Sequence, residues 1–131
     1  MDYKILENLK YTSTHEWVKI EGKNAISGIS DYAQHQLGDI VYVELPNIGD
    51  TIEKGVAAGE IESVKAVGEF IMPLTGKISD VNPLISDNPE LVNQSPYDEG
   101  WLVKFEISDN DQIKDLISPD EYSQIIESEE K

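Results

Sequence analysis

Gly59-Glu60-Ile61-Glu62-Ser63-Val64-Lys65-Ala66-Val67-Gly68-Glu69-Phe70-Ile71-Met72-Pro73 decides how this chain is read. Ile61 and Val64 flank polar Glu60, Glu62 and Ser63. Phe70, Ile71 and Met72 then run into Pro73. The pattern predicts strand, turn, strand, with Gly68 punctuating a β-prone run and Lys65 and Ala66 near the tip. A turn tip lifts a side chain clear of its sheet, where another protein can reach it.

Working outward, the same rhythm recurs. Tyr11–Ile20 turns from polar to strand-like, and Glu21-Gly22-Lys23-Asn24 leads into a returning strand over 25–29, which makes a hairpin. Residues 1–10 read as a loosely held lead-in. Ser30 can cap a short helix through Leu37, closed by Gly38, with Ala33 and Leu37 on one face. Ile40–Pro46 is the most β-prone run, and Pro46 ends it. Thr51–Gly55 reads as an edge segment and Lys77–Asn82 as another strand. Residues 83–100, with Pro83, Pro89 and Pro96, form a long connection of the functional or self-packed kind. Residues 100–107 make the last strand.

The C-terminus reads as helical. Ile113, Leu116 and Ile117 follow a Ser108/Asp109 cap. Ser118-Pro119-Asp120-Glu121 then opens a second helix with a capping-box Glu. Tyr122, Ile125 and Ile126 form its apolar face, and 128–131 are expected to fray. The expected architecture is one domain over 1–131, mostly β, a sandwich or barrel of short strands. Its core spans about residues 9–107, with a helical extension over 109–127.

Composition narrows the chemistry. The 131 residues include no cysteine, which removes disulfides, a thiolate nucleophile and Cys-based metal sites. A net charge of −16 repels nucleic acid and anionic membranes, and suits partners with basic surfaces. No apolar run approaches a membrane-spanning length. The first residues carry acids and lack the apolar core of a secretory signal, so the expected compartment is the cytoplasm, or the mitochondrion if a presequence has been removed.

Few residues offer catalysis. Adjacent strand residues point to opposite faces, so His15 and Glu16 are not expected to act together. His35 has no second ligand at metal spacing. Asn93-Gln94-Ser95 matches a glycosylation sequon but lacks a secretory context. Lys65 has Glu60, Glu62 and Glu69 as sequence neighbours, which disfavours a neutral, nucleophilic lysine. From the residues alone it is a solvated turn lysine or a point for covalent attachment by another enzyme.

Several blocks, in order, carry a resemblance. Glu62-Ser63-Val64-Lys65-Ala66 resembles the lipoyl-attachment signature of glycine cleavage system H proteins. His15-Glu16-Trp17-Val18, Gly28–Gln34, Leu37–Pro46, Pro73–Ile78 and Asn93–Leu102 resemble other blocks of that family. The likeness covers roughly residues 9–127. It implies a lipoyl-domain-like fold, two small antiparallel sheets packed as a flattened barrel or sandwich, with lipoate amide-linked to Lys65. It also implies a carrier that is not an enzyme. Such a carrier takes an aminomethyl group from a pyridoxal-phosphate glycine decarboxylase (P protein) to a tetrahydrofolate-dependent aminomethyltransferase (T protein). Dihydrolipoyl dehydrogenase (L protein) then reoxidises it, and a lipoate-attaching enzyme modifies it beforehand. By the same resemblance Glu16 and Glu69 contact the cationic amine, and Thr14 and His15 line the groove. The family often has Asp where Glu69 stands. Val67 and Gly68 suggest a relaxed hairpin tip. The other readings are a lipoyl relay donor to 2-oxo acid dehydrogenase acyltransferases and an unmodified acidic interaction module. Val64 and Ala66 stand where biotin carriers have methionines, which argues against biotin.

Overall fold

β-branched and aromatic residues alternate with polar ones through most of the chain, a pattern that suits half-buried strands. The computed structural model describes residues 3–130. Its strands and helices are Lys10–Tyr11 (β1), Glu16–Glu21 (β2), Asn24–Ile29 (β3), Asp31–Leu37 (α1), Ile40–Glu44 (β4), Thr51–Ile52 (β5), Ala57–Ser63 (β6), Val67–Ile71 (β7), Gly76–Val81 (β8), Leu91–Gln94 (α2), Val103–Ile107 (β9), a 3-10 helix over Asn110–Asp115, and Pro119–Glu130 (α3).

Two antiparallel sheets result, one in the order β1-β2-β3-β9-β8-β5 and the other β4-β6-β7. Neither closes on itself among the described residues, so the architecture is a sandwich rather than a barrel. Val18, Ile78, Val103 and Phe105 of the larger sheet and Ile40, Val43, Ile61 and Phe70 of the smaller one share a buried apolar cluster. Burying each such side chain contributes about 2 kcal/mol. A second cluster of Leu9, Tyr11, Trp17, Tyr32, Tyr122 and Ile126 holds α3 against the larger sheet. There the Tyr11 and Tyr122 rings stack with centroids 4.4 Å apart.

The caps are where the sequence places them. Ser30 Oγ accepts the Ala33 N–H at 3.1 Å, and the Gly38 N–H donates to Gln34 O at 3.0 Å. The Ser118 N–H donates to Glu121 Oε1 while the Glu121 N–H donates to Ser118 Oγ, a reciprocal capping box.

Three expectations change, and a fourth, the self-packed 83–100 connection, is met. The lead-in is not loose from Tyr3 onward: Lys4 N–H donates to Asp31, Tyr97 OH donates to Lys4 O, and Leu9 is buried. Met1 and Asp2 lie outside the described residues. Helix α3 runs to Glu130 instead of fraying from Ser128, because its last turn meets the rest of the protein. Lys131 is outside the described residues. Leu116 and Ile117 are not helical, and Ile117 instead exchanges two backbone hydrogen bonds with Tyr11. The 83–100 connection holds the short helix α2, so its own side chains pack it.

Candidate functional site

The β6–β7 hairpin is closed by its own serine. Ser63 Oγ accepts the N–H groups of Lys65 and Ala66, and the Ser63 N–H donates to Ala66 O at 2.8 Å. The Val64 N–H donates to Asp39 O at 3.0 Å, which ties the tip to the segment after α1. Lys65 is exposed, and no carboxylate among the described residues forms an ion pair with it.

Two glycines let the tip sit this close. Gly38 has φ +84, and a Cβ there would stand 3.1 Å from Lys65 Cε. Positive φ and close approach together call for glycine. A Cβ on Gly68 would meet Leu37 Cδ2 at 3.2 Å. Gly68 also pairs with Ile61 in the ladder. Gly68 is therefore a packing glycine, and the expected relaxed tip is not found.

Asn93 fixes the segment beneath the tip. Its Oδ1 accepts the Ile40 N–H at 2.8 Å, and its Nδ2 donates to Gln34 Oε1 and Gly38 O, both at 2.9 Å. In the sequence it stands out only as a glycosylation-like Asn. Its partners lie 53–59 residues away, so no local pattern could reveal the role. Asn93→Ala strands a buried amide and two acceptors. It is expected to lower unfolding free energy by about 2–3 kcal/mol, read from urea melts. A loss below about 0.5 kcal/mol would contradict this staple.

Beside the hairpin lies a groove of about 360 Å³. Ile29, Ala33, Leu37, Ile61 and Gly68 give it apolar walls, while Thr14, His15, Glu16, Glu69 and Glu129 bring polar groups. The structure thus gathers all four sequence-named contact residues, Thr14, His15, Glu16 and Glu69, at one groove. Lys65 stands at the tip of the hairpin whose Ile61, Gly68 and Glu69 form one side of it.

Glu16 is almost fully buried, with 1% exposure. Its Oε1 accepts the Thr12 and Thr14 hydroxyls, and its Oε2 accepts the Ile71 N–H at 3.2 Å. Burial pushes its carboxyl above the ordinary range, opposed by these donors. His15 precedes the strand with φ +75, so strand alternation does not govern it. His15 and Glu16 therefore line the same groove, contrary to the opposite-face expectation. His15 Nδ1 lies 2.8 Å from Tyr122 OH, and its Nε2 3.0 Å from Glu129 Oε1. Glu69 is exposed and lies in a cross-strand row with Glu60 and Glu44. His35 does not line the groove; it lies 3.5 Å from Asp31 and edge-on to Tyr3.

The family model described as "Glycine cleavage H-protein" matches residues 9–129. The chain belongs to the glycine cleavage H-protein family. A glycine cleavage system H protein of Xylella fastidiosa (strain M12) is 52% identical over 124 residues, 94% of this chain and 95% of the relative. One from Staphylococcus epidermidis is 52% identical over 117 residues, 89% and 93% of the two chains. The crystal structure of the Mycobacterium marinum H protein superposes with a TM-score of 0.81 at 33% identity, covering 92% of this chain and 97% of that one.

H proteins of this family are lipoyl carriers of the glycine cleavage system, not enzymes, and carry lipoate on a lysine; this chain is one of them. The residues present fit that group. An exposed, unpaired lysine stands beside a groove with apolar walls for a hydrocarbon arm and carboxylates for a cationic end. No helix among the described residues is long and apolar enough to cross a membrane.

Proposed function

We propose that Lys65 is the attachment lysine, and that the adjoining groove shelters a cationic aminomethyl cargo between visits to the partner enzymes. One observation carries this reading: the exposed hairpin lysine and the carboxylate-lined groove share the β6–β7 hairpin. Attached lipoate supplies the sulfur that takes up the aminomethyl group and the dithiol that is later reoxidised.

The chain's own residues present and shield. Ser63 and Asp39 hold the tip, so Lys65 projects from a fixed base. Ile29, Ala33, Leu37 and Ile61 keep water from the arm. Glu69 offers its charge to the amine. Glu16 has roughly four lone-pair sites and three donors on them, so it retains acceptor capacity for the cargo. Thr14 and His15 hold Glu16 and the groove edge in place.

The partners in this reading are the glycine decarboxylase, the aminomethyltransferase, dihydrolipoyl dehydrogenase and the lipoate-attaching enzyme. A net charge of −16 speeds encounter with basic surfaces on them. The relatives quoted are bacterial, which supports the cytoplasm as the working compartment.

The test is cargo loading. When the lipoylated chain is mixed with glycine decarboxylase and glycine, it is expected to gain one aminomethyl group on one sulfur and one hydrogen on the other, with CO₂ released from glycine in equal amount. A fully lipoylated chain that gains no mass would contradict the proposal.

A further inference from the structure

The groove has a third carboxylate that the sequence reading did not single out. Glu129 reaches it from the last turns of α3, a different element from those carrying Glu16 and Glu69. Both its oxygens lie 3.0 Å from His15 Nε2. His15 is held from its other side, where Nδ1 meets Tyr122 OH, and Tyr122 OH lies 2.6 Å from Ser30 Oγ. A carboxylate only accepts, so Nε2 is the donor toward Glu129. The Tyr122 hydroxyl bridges His15 Nδ1 and Ser30 Oγ.

This relay starts at the N-cap of α1 and ends on Glu129. It spends a left-handed backbone at His15, a residue with a Cβ, to aim the imidazole at α3. One hydrogen bond from Nε2 leaves acceptor capacity on the Glu129 carboxylate. The three groove carboxylates therefore differ. Glu16 is buried with three of the protein's own donors on it, and Glu69 shares its row with two other glutamates. Glu129 is fixed in place, with its side chain 43% exposed.

We propose that Glu129, oriented by His15, is a groove-edge counter-charge that selects the cationic, cargo-bearing arm over the uncharged arm. The proposal rests on the carrier reading above. It assigns α3 a share in the resting place of the arm as well as in packing.

The absence of cysteine makes a clean test. In the reduced, lipoylated chain the arm bears the only thiols. Alkylation with 2-bromoethylamine converts each S–H to S–CH₂CH₂NH₃⁺, with loss of bromide and the thiol proton. Alkylation with 1-bromopropane gives a neutral arm of similar length. Docking is read from the Gly68 amide and His15 ring signals by NMR. Glu129→Gln keeps an acceptor for His15 Nε2 and removes only the charge.

The docked-to-undocked ratio of the cationic arm is expected to fall about two- to five-fold in Glu129→Gln, as for a partly exposed charge pair. The neutral arm should dock equally in both proteins. Equal docking of the cationic arm in both proteins overturns the counter-charge role. Equal losses for both arms reduce Glu129 to a packing residue and overturn it too. Neither arm docking even in the unaltered chain would overturn the sheltering groove itself, and this proposal with it.

Discussion

Lys65→Arg is expected to yield a folded protein that carries no lipoyl group and gains no cargo from glycine. Amide formation needs an amine that can lose its proton and attack an activated acyl group. A lysine can do this when an enzyme removes the proton, and a guanidinium stays protonated. The exchange keeps charge and length, and Lys65 is exposed with no ion pair among the described residues. Its effect on stability should therefore stay within about 0.5 kcal/mol. Ser63 holds the turn through the backbone amides of Lys65 and Ala66, so it closes as before. Intact mass after co-expression with a lipoate-attaching enzyme reads the result. A lipoyl increment persisting in Lys65→Arg would move the attachment site elsewhere.

Glu16→Ala is expected to be the most damaging change at the groove. It removes the acceptor of the Thr12 and Thr14 hydroxyls and of the Ile71 N–H, and leaves a gap where an almost fully buried side chain stood. The loss is about 2 kcal/mol of unfolding free energy, moderated because the half-buried and exposed donors can turn to solvent. Glu16→Gln keeps an acceptor for the hydroxyls but turns an amide donor toward one of its former donors, at a cost of about 1–2 kcal/mol.

The two variants also separate by pH. Burial raises the Glu16 carboxyl above its unfolded value, so the folded chain holds that proton to higher pH than the unfolded chain does. Its stabilising contribution is greatest below the unfolded-state pKa and declines as pH rises through the folded-state one. Replacement by glutamine removes that decline. The difference in stability between wild type and Glu16→Gln should therefore shrink as pH rises across the window. A difference that grows would contradict the burial argument. Lipoylation should persist in both variants, because Ser63 and Asp39, not Glu16, hold the tip, and a shorter cargo lifetime is expected in each.

Much of this fold is written in local pattern. The β6–β7 hairpin, the Ser30 and Ser118 caps and the strand from Ile40 follow from alternation, capping chemistry and proline placement, which act over a few residues. What the sequence hides is long-range or conformational. The lead-in looks loose because Leu9 and Tyr3 find their partners on other elements. Ile117 carries helical spacing yet bridges to Tyr11, where tertiary pairing overrides propensity. Gly68 reads as freedom until Leu37 occupies the space beside it.

The site divides in the same way. Lys65 and Glu16 are named from the sequence because they sit in recognisable blocks, and Glu69 because it stands four residues after Lys65. Glu129 belongs to a segment whose pattern suggests fraying, and its place at the groove depends on a left-handed His15 that strand alternation cannot anticipate. Asn93 acts on residues more than fifty positions away.

The most direct measurement is peptide-resolved mass spectrometry of the unaltered protein, isolated from cells with an intact lipoylation pathway. A single lipoyl modification is expected, on the peptide containing Ser63-Val64-Lys65-Ala66 and on none of the other nine of the ten lysines. A lipoyl group on a different lysine, or an unmodified Lys65 in such cells, would contradict it.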